Sequence, residues 1–201
     1  MDAARQCQRD APATGSPPGR PAVVAVAGAN LGLFGLWRQS CHDPRLGRLL
    51  ADHALCSLDH LRRGRLHTLL LSSMSHARGL HAAVNVYGLA VFGNVAAARL
   101  SPRELGAAVG LCGIGSSLLH VACHPRTPVL GASGAVMGLV TLDAALEPAR
   151  EFRVVFWPTL TLSMLEVAQL AFLANFVGFA ALRRRTPTVA WAAHLGGSAA
   201  G

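Results

Sequence analysis

The sequence predicts an all-α protein whose helices cross a membrane several times, and three observations carry that reading. Only 14% of the 201 residues are charged and 52% are hydrophobic, whereas a soluble domain carries about 25% charged residues to coat its surface. The mean hydropathy is +0.39, supplied by Ala, Leu and Val, because aromatics make up just 5% of the chain. The apolar residues also gather into runs suited to a bilayer, where each crossing takes about 20 helical residues. A chain of 201 residues therefore holds about six or seven spans at most. Disorder is excluded, since it needs low hydrophobicity.

Residues 1–20 are polar and rich in Pro, Ala and Arg, and are expected to form a disordered tail. Residues 21–37 (PAVVAVAGANLGLFGLW) form an uncharged run between Arg20 and Arg38. A cleaved signal would need small residues after the run, but Trp37-Arg38-Gln39 stand there, so a retained first span is expected. Residues 38–77 are the longest polar stretch. Leu49, Leu50, Leu55, Leu58 and Leu61 in it fit short amphipathic helices lying in the membrane interface.

Three further spans are expected at 79–98, 105–123 and 131–147. The run 154–182 is longer than one crossing needs. It contains Pro158 with Thr and Ser nearby, so its first part is expected in the interface and the span at 164–182. The last run, 187–201, has about fifteen residues, short of the ~20 a crossing takes, so the sixth helix is expected to be truncated at its C-terminus. No internal repeat is visible, which argues against a transporter built from paired broken helices.

The net charge is +8 and all eighteen basic side chains are Arg. In a soluble chain this would suggest nucleic acid. Here Arg20, Arg38, Arg99, Arg103, Arg150, Arg153 and Arg183 to Arg185 stand at the ends of apolar runs, where long basic side chains snorkel to headgroups. No aromatics interleave with them to stack bases. The expected partner is the lipid bilayer, with no nucleic acid. Cys7, Cys41, Cys56, Cys112 and Cys123 form no C-x-x-C pair and are odd in number, so neither a zinc site nor a disulfide framework is indicated. His120 and His124 flank Cys123 with a spacing that could hold a metal. They sit where a span meets a loop without an acidic partner, which favours interfacial histidines, and no metal or cofactor is expected.

Polar residues inside spans are costly and therefore functional candidates. The second span carries His81 and Asn85, which are i and i+4 and so share a helix face. The fourth opens Gly131-Ala132-Ser133-Gly134, with Gly138 one turn beyond Gly134. The sixth carries Ala193-His194-Leu195-Gly196-Gly197, and then Gly201. Each has a bland explanation alone, because a Ser among glycines usually serves helix packing and an intramembrane His can be a satisfied packing residue. Together they place a nucleophile, a base and a pair of hydrogen-bond donors in three separate spans.

This pattern resembles the rhomboid intramembrane serine proteases, with their H-x-x-x-N, G-x-S-G and A-H-x-x-G-x-x-x-G motifs in this order. The presenilins-associated, mitochondrial branch is similar also at Asn30, Phe34, Leu36-Trp37-Arg38, Ser75-His76, Asn85-Val86-Tyr87 and Phe156-Trp157-Pro158. The resemblance covers residues 22–201 and implies a six-helix transmembrane bundle forming one domain over 21–201. It implies Ser133 as nucleophile, His194 as general base, and an oxyanion hole made by the Ser133 N–H with His81 and Asn85. Gly131, Gly134, Gly138, Gly197 and Gly201 would let the helices around the site approach closely. It further implies single-span transmembrane proteins as substrates, entry at the fifth span, and the mitochondrial inner membrane as the favoured location, other membranes remaining open. No acidic residue stands in triad-like context, since Asp143 and Glu166 fall well below the serine or on another span, so the implied machinery is a dyad. A water-filled pocket lined by His76, His81, Ser133 and His194 is expected. The branch often carries Asp-His before Ala-Ala-His, where this chain has Ala190-Trp191. The alternative is a non-catalytic rhomboid-like protein, or an inactive fragment, that binds transmembrane clients.

Overall fold

The computed structural model describes residues 16–154, 157–182 and 189–201. Most of the expected tail, Phe156, Arg183 to Arg185 and the first two residues of the 187–201 run lie outside the described residues. The first helix, α1 (Arg20–Gln39), opens with a proline in its first turn, where the missing N–H has no helical partner to lose. Three short helices follow in the polar stretch: α2 (Pro44–His53), α3 (Leu58–Arg62) and α4 (Thr68–Leu71), the last running into a 3₁₀ turn at Ser72–Met74. Asp43 and Ser57 cap α2 and α3 by accepting from first-turn N–H groups.

Helix α5 covers Gly79–Ala97 and α6 covers Pro102–Cys123. The latter starts three residues before the predicted 105 because Ser101 and Glu104 form a reciprocal capping box, with Pro102 in the first turn. Helix α7 spans Ser133–Leu146, α8 spans Met164–Val177 with a π turn over Gly178–Leu182, and α9 spans Trp191–Ala200. A second capping box, Ser163 with Glu166, fixes the start of α8.

The all-helical expectation needs one correction. Strands β1 (Glu151–Val154) and β2 (Trp157–Ser163) pair antiparallel between α7 and α8, with Glu151 opposite Ser163 and Arg153 opposite Thr161. The segment is dense in β-branched and aromatic residues (Phe152, Val154, Trp157, Thr159, Thr161), which suit a pleated strand. Pro158 would break a helix there.

Helices α1, α5, α6 and α8 with its π turn are long and apolar enough to cross a membrane, whereas α7 is a shorter apolar helix. One core joins α1, α5, α6 and α7 through Val23, Leu89, Leu105, Val109, Val136 and Leu139. Helix α9 packs most extensively on α6 and α7. Outside, large apolar side chains stand exposed, among them Leu80, Val84, Leu111, Phe172 and Leu173. In water such a surface would be an aggregation liability, while a bilayer accepts it.

Candidate active site

Ser133 is the first residue of α7. The loop before it is fixed by the segment 38–78 rather than by its own helix. Cys56 and Val129 exchange two backbone hydrogen bonds at 3.0 and 2.8 Å, and the Gly131 N–H donates to the Ser72 carbonyl at 2.8 Å. The Ala132 N–H donates to His76 Nε2 at 3.1 Å. Gly131 has φ +127°, and a Cβ there would meet the His81 ring at 2.5 Å. Only glycine satisfies both the left-handed backbone and the close ring.

Helix α9 brings His194 to the serine. Gly134 lies against the Ala193 carbonyl, which a Cβ would approach to 2.9 Å, and Gly138 lies against the Gly197 carbonyl, at 2.8 Å from such a Cβ. A Cβ on Gly197 or Gly201 would run into the carbonyls of Gly134 and Gly138 respectively. These small residues therefore set the α7–α9 separation. At that separation Ser133 Oγ stands 2.8 Å from His194 Nε2.

The other face of the imidazole meets a residue that the motifs did not single out. His194 Nδ1 lies 2.6 Å from Asn175 Oδ1, on α8. Asn175 Nδ2 donates to the Ala171 carbonyl at 2.7 Å. That carbonyl can only accept, so the amide oxygen must face His194 and Nδ1 must carry the proton there. Nε2 is then the unprotonated nitrogen, and Ser133 O–H donates to it. The available signal was an amide in the apolar run 164–182, costly in a span. Its pairing with a residue 19 positions away is a tertiary fact that spacing does not reveal.

His81, Asn85, Ser133, Met137 and His194 line one cavity of about 350 Å³. Asn85 is buried, and its Nδ2 donates one N–H to the His81 carbonyl at 2.7 Å, leaving the second N–H of the amide for the cavity. The first-turn N–H groups of α7, beginning with Ser133, have no intrahelical acceptor and make this end electropositive. His76 departs from the expectation that it lines the pocket. It is fully buried behind the loop as the acceptor for Ala132, and its ring packs edge-on against His81 with centroids 5.0 Å apart. Lying in the turn before α5, outside the spans, it is pushed down to about 4 by burial, with nearby His81 adding to the effect.

Asp143 is completely buried further along α7, and Glu166 serves the α8 capping box. Neither meets His194 in the described residues, where the third polar group is an amide and not an acid. The ring of His120 stacks on His124 with centroids 5.1 Å apart, and its Nε2 donates to the Thr127 carbonyl at 3.1 Å. Among the described residues no group of three or more His, Cys, Asp or Glu side chains is placed to hold a metal ion.

A Rhomboid domain profile matches residues 63–201. The chain is 30% identical over 200 residues to RHOMBOID-like protein 12, mitochondrial, of Arabidopsis thaliana, covering 90% of this chain and 56% of that protein. It is 29% identical to Rhomboid protein 1, mitochondrial, of Saccharomyces cerevisiae, with 89% and 51% covered. With Presenilin-associated rhomboid-like protein, mitochondrial, of Bos taurus it shares 28% identity over 71% of this chain and 37% of the other. The chain thus spans about half the length, or less, of these curated relatives. No solved structure matches it. With the Rhomboid domain profile covering most of the sequence, from residue 63 through the loop, the serine and the last helix, the chain belongs to the rhomboid family.

Proposed function

We propose that this protein is an intramembrane serine endopeptidase that cleaves transmembrane-helix substrates with Ser133 and His194. The observation that carries the reading is the 2.8 Å contact between Ser133 Oγ and His194 Nε2, at the wall of a cavity shared with His81 and Asn85. A serine hydroxyl is a weak nucleophile until an adjacent base takes its proton, and neutral imidazole is suited to take and return it. Ser133 Oγ attacks the scissile carbonyl as its proton passes to Nε2. The oxyanion receives the Ser133 N–H and the side chains of His81 and Asn85. His194 then protonates the leaving amine, and a serine ester remains. Water hydrolyses that ester with His194 again acting as base.

The same reading takes α7 and α9 as spans alongside the four long helices, giving six spans in one domain over 21–201. The inclusion of the first helix is supported by its packing, with Val23 in the shared core beside Leu89 and Val109. Single-span membrane proteins are the proposed substrates. The mitochondrial inner membrane is the proposed location, supported by the mitochondrial designation of relatives from a plant, a yeast and a mammal. The test is cleavage of a model transmembrane substrate by detergent-solubilised protein, together with fluorophosphonate labelling. Cleavage and labelling are expected to vanish in Ser133→Ala and in His194→Ala. Cleavage that survives Ser133→Ala would overturn the assignment, and a folded protein that binds the substrate without cutting it would favour a client-binding role.

A further inference from the structure

The fifth apolar segment carries one buried amide where its neighbours are exposed. In α8 only Met164 and Asn175 are buried, while Leu165, Leu170, Phe172, Leu173 and Phe176 stand in the open. Near its start the helix is seated on Val140 and Ala144 of α7. Near its end Asn175 reaches inward to His194 Nδ1 at 2.6 Å and to Met137 Sδ at 3.5 Å. Burying an amide in a span is unfavourable unless its groups are hydrogen-bonded, and here one donor and the acceptor are both engaged.

We propose that Asn175 is the positioning residue of the base, and that it makes the alignment of His194 conditional on α8 being seated against α7 and α9. The proposal rests on the serine-protease reading and adds to it a residue and a condition. The Ala171 carbonyl orients the amide, and the amide oxygen holds the proton on Nδ1. Nε2 is thereby kept as the nitrogen that faces Ser133. When the end of α8 moves outward, Nδ1 loses its acceptor, the ring is released to its other tautomer, and the nitrogen facing Ser133 can carry a proton it cannot exchange for that of the hydroxyl. A transmembrane substrate entering beside α8 is then cut only after the helix has returned. An amide in this place differs from a carboxylate in a testable way: it orients the ring without adding charge to favour the imidazolium.

The experiment uses the full chain in detergent and in bilayers, with a model transmembrane substrate and a soluble fluorophosphonate that needs no lateral entry. Asn175→Leu is expected to lower kcat and the labelling rate of Ser133 by about ten- to hundred-fold, less than the ~10²–10⁴-fold that the base itself supplies, with KM unchanged or reduced. Asn175→Asp keeps the acceptor, so activity is retained while the acidic limb of the pH–rate profile moves to higher pH. In ¹⁵N-histidine spectra His194 is expected as the Nδ1–H tautomer in the parent and Asn175→Asp proteins, and as a mixture in Asn175→Leu. Parental kcat, labelling rate and pH profile in Asn175→Leu and Asn175→Asp would overturn the positioning role, as would an Nε2–H tautomer in the parent protein. A change in KM for the transmembrane substrate alone, with labelling untouched, would reduce Asn175 to a packing residue. A Ser133→Ala control separates the two ideas: cleavage that survives it removes the protease reading and the proposal with it. Cleavage that Ser133→Ala abolishes and Asn175→Leu leaves intact overturns the proposal alone.

Discussion

At the scale of single residues, Gly131 shows how tightly the loop that carries Ser133 is specified. Its φ of +127° is strained for any other residue, at a cost of about 1–3 kcal/mol, and a side chain would also press on the His81 ring. Gly131→Ala is therefore expected to lower thermal stability and to reduce kcat by displacing His81 from the cavity. Gly28→Ala, where a Cβ meets nothing within 4 Å, is the matched control and is expected to be neutral. Activity equal to the parent's in Gly131→Ala would remove His81 and the loop backbone from the mechanism. The glycine itself could be read from the G-x-S-G motif. Its two reasons could not, because one is a dihedral angle and the other a ring delivered from α5.

Among the elements, the polar stretch 38–77 proves to be the template on which the serine loop is laid. His76 is the clearest instance, since its Nε2 must stay unprotonated to accept from Ala132. Burial holds the folded-state pKa of His76 near 4, below its usual 6.5. An unfolded chain would take up a proton as the pH falls below 6.5, and the folded protein would not. The stability from this group is thus fully present above about 6.5 and is lost as the pH falls toward 4. Melting temperature followed from pH 7 to pH 4.5 is expected to fall, and His76→Gln, which keeps an acceptor but cannot titrate, is expected to flatten that slope. An unchanged slope in the variant would place the acid sensitivity elsewhere.

The long spans were legible because hydropathy and Arg punctuation are local signals, as with Arg20 and Arg38 around α1. The β1–β2 hairpin was hidden because β1 (Glu151–Val154) is only four residues of mixed polarity, and β2 opens a largely apolar run in which short apolar stretches do not separate strand from helix. Asn175 was hidden for a different reason, since its importance lies in a partner on another helix.

For the whole molecule, the apolar exterior is the governing feature: Leu, Val and Phe cover the outside, around a core that is itself mainly apolar and holds a few buried polar groups such as Asn30, His76, Asp143 and Asn175. Leu173 lies midway along the apolar segment Met164–Leu182 and is 57% exposed. Leu173→Arg is expected to make insertion less favourable by about 3–4 kcal/mol, measured with a glycosylation-tag insertion reporter. Leu66→Arg, in the polar stretch, is expected to insert as the parent does. Equal insertion of both variants would show that α8 is not lipid-facing at that depth.

The close seating of α9 between α6 and α7 also has a consequence in the order of synthesis. The ribosome makes the loop template first, Ser133 next, the α8 amide later, and His194 last of the four. Until α9 threads past Gly134 and Gly138, Ser133 stands without the imidazole of His194. On the proposed serine-protease reading, a chain assembled in this order stays chemically silent until α9 docks.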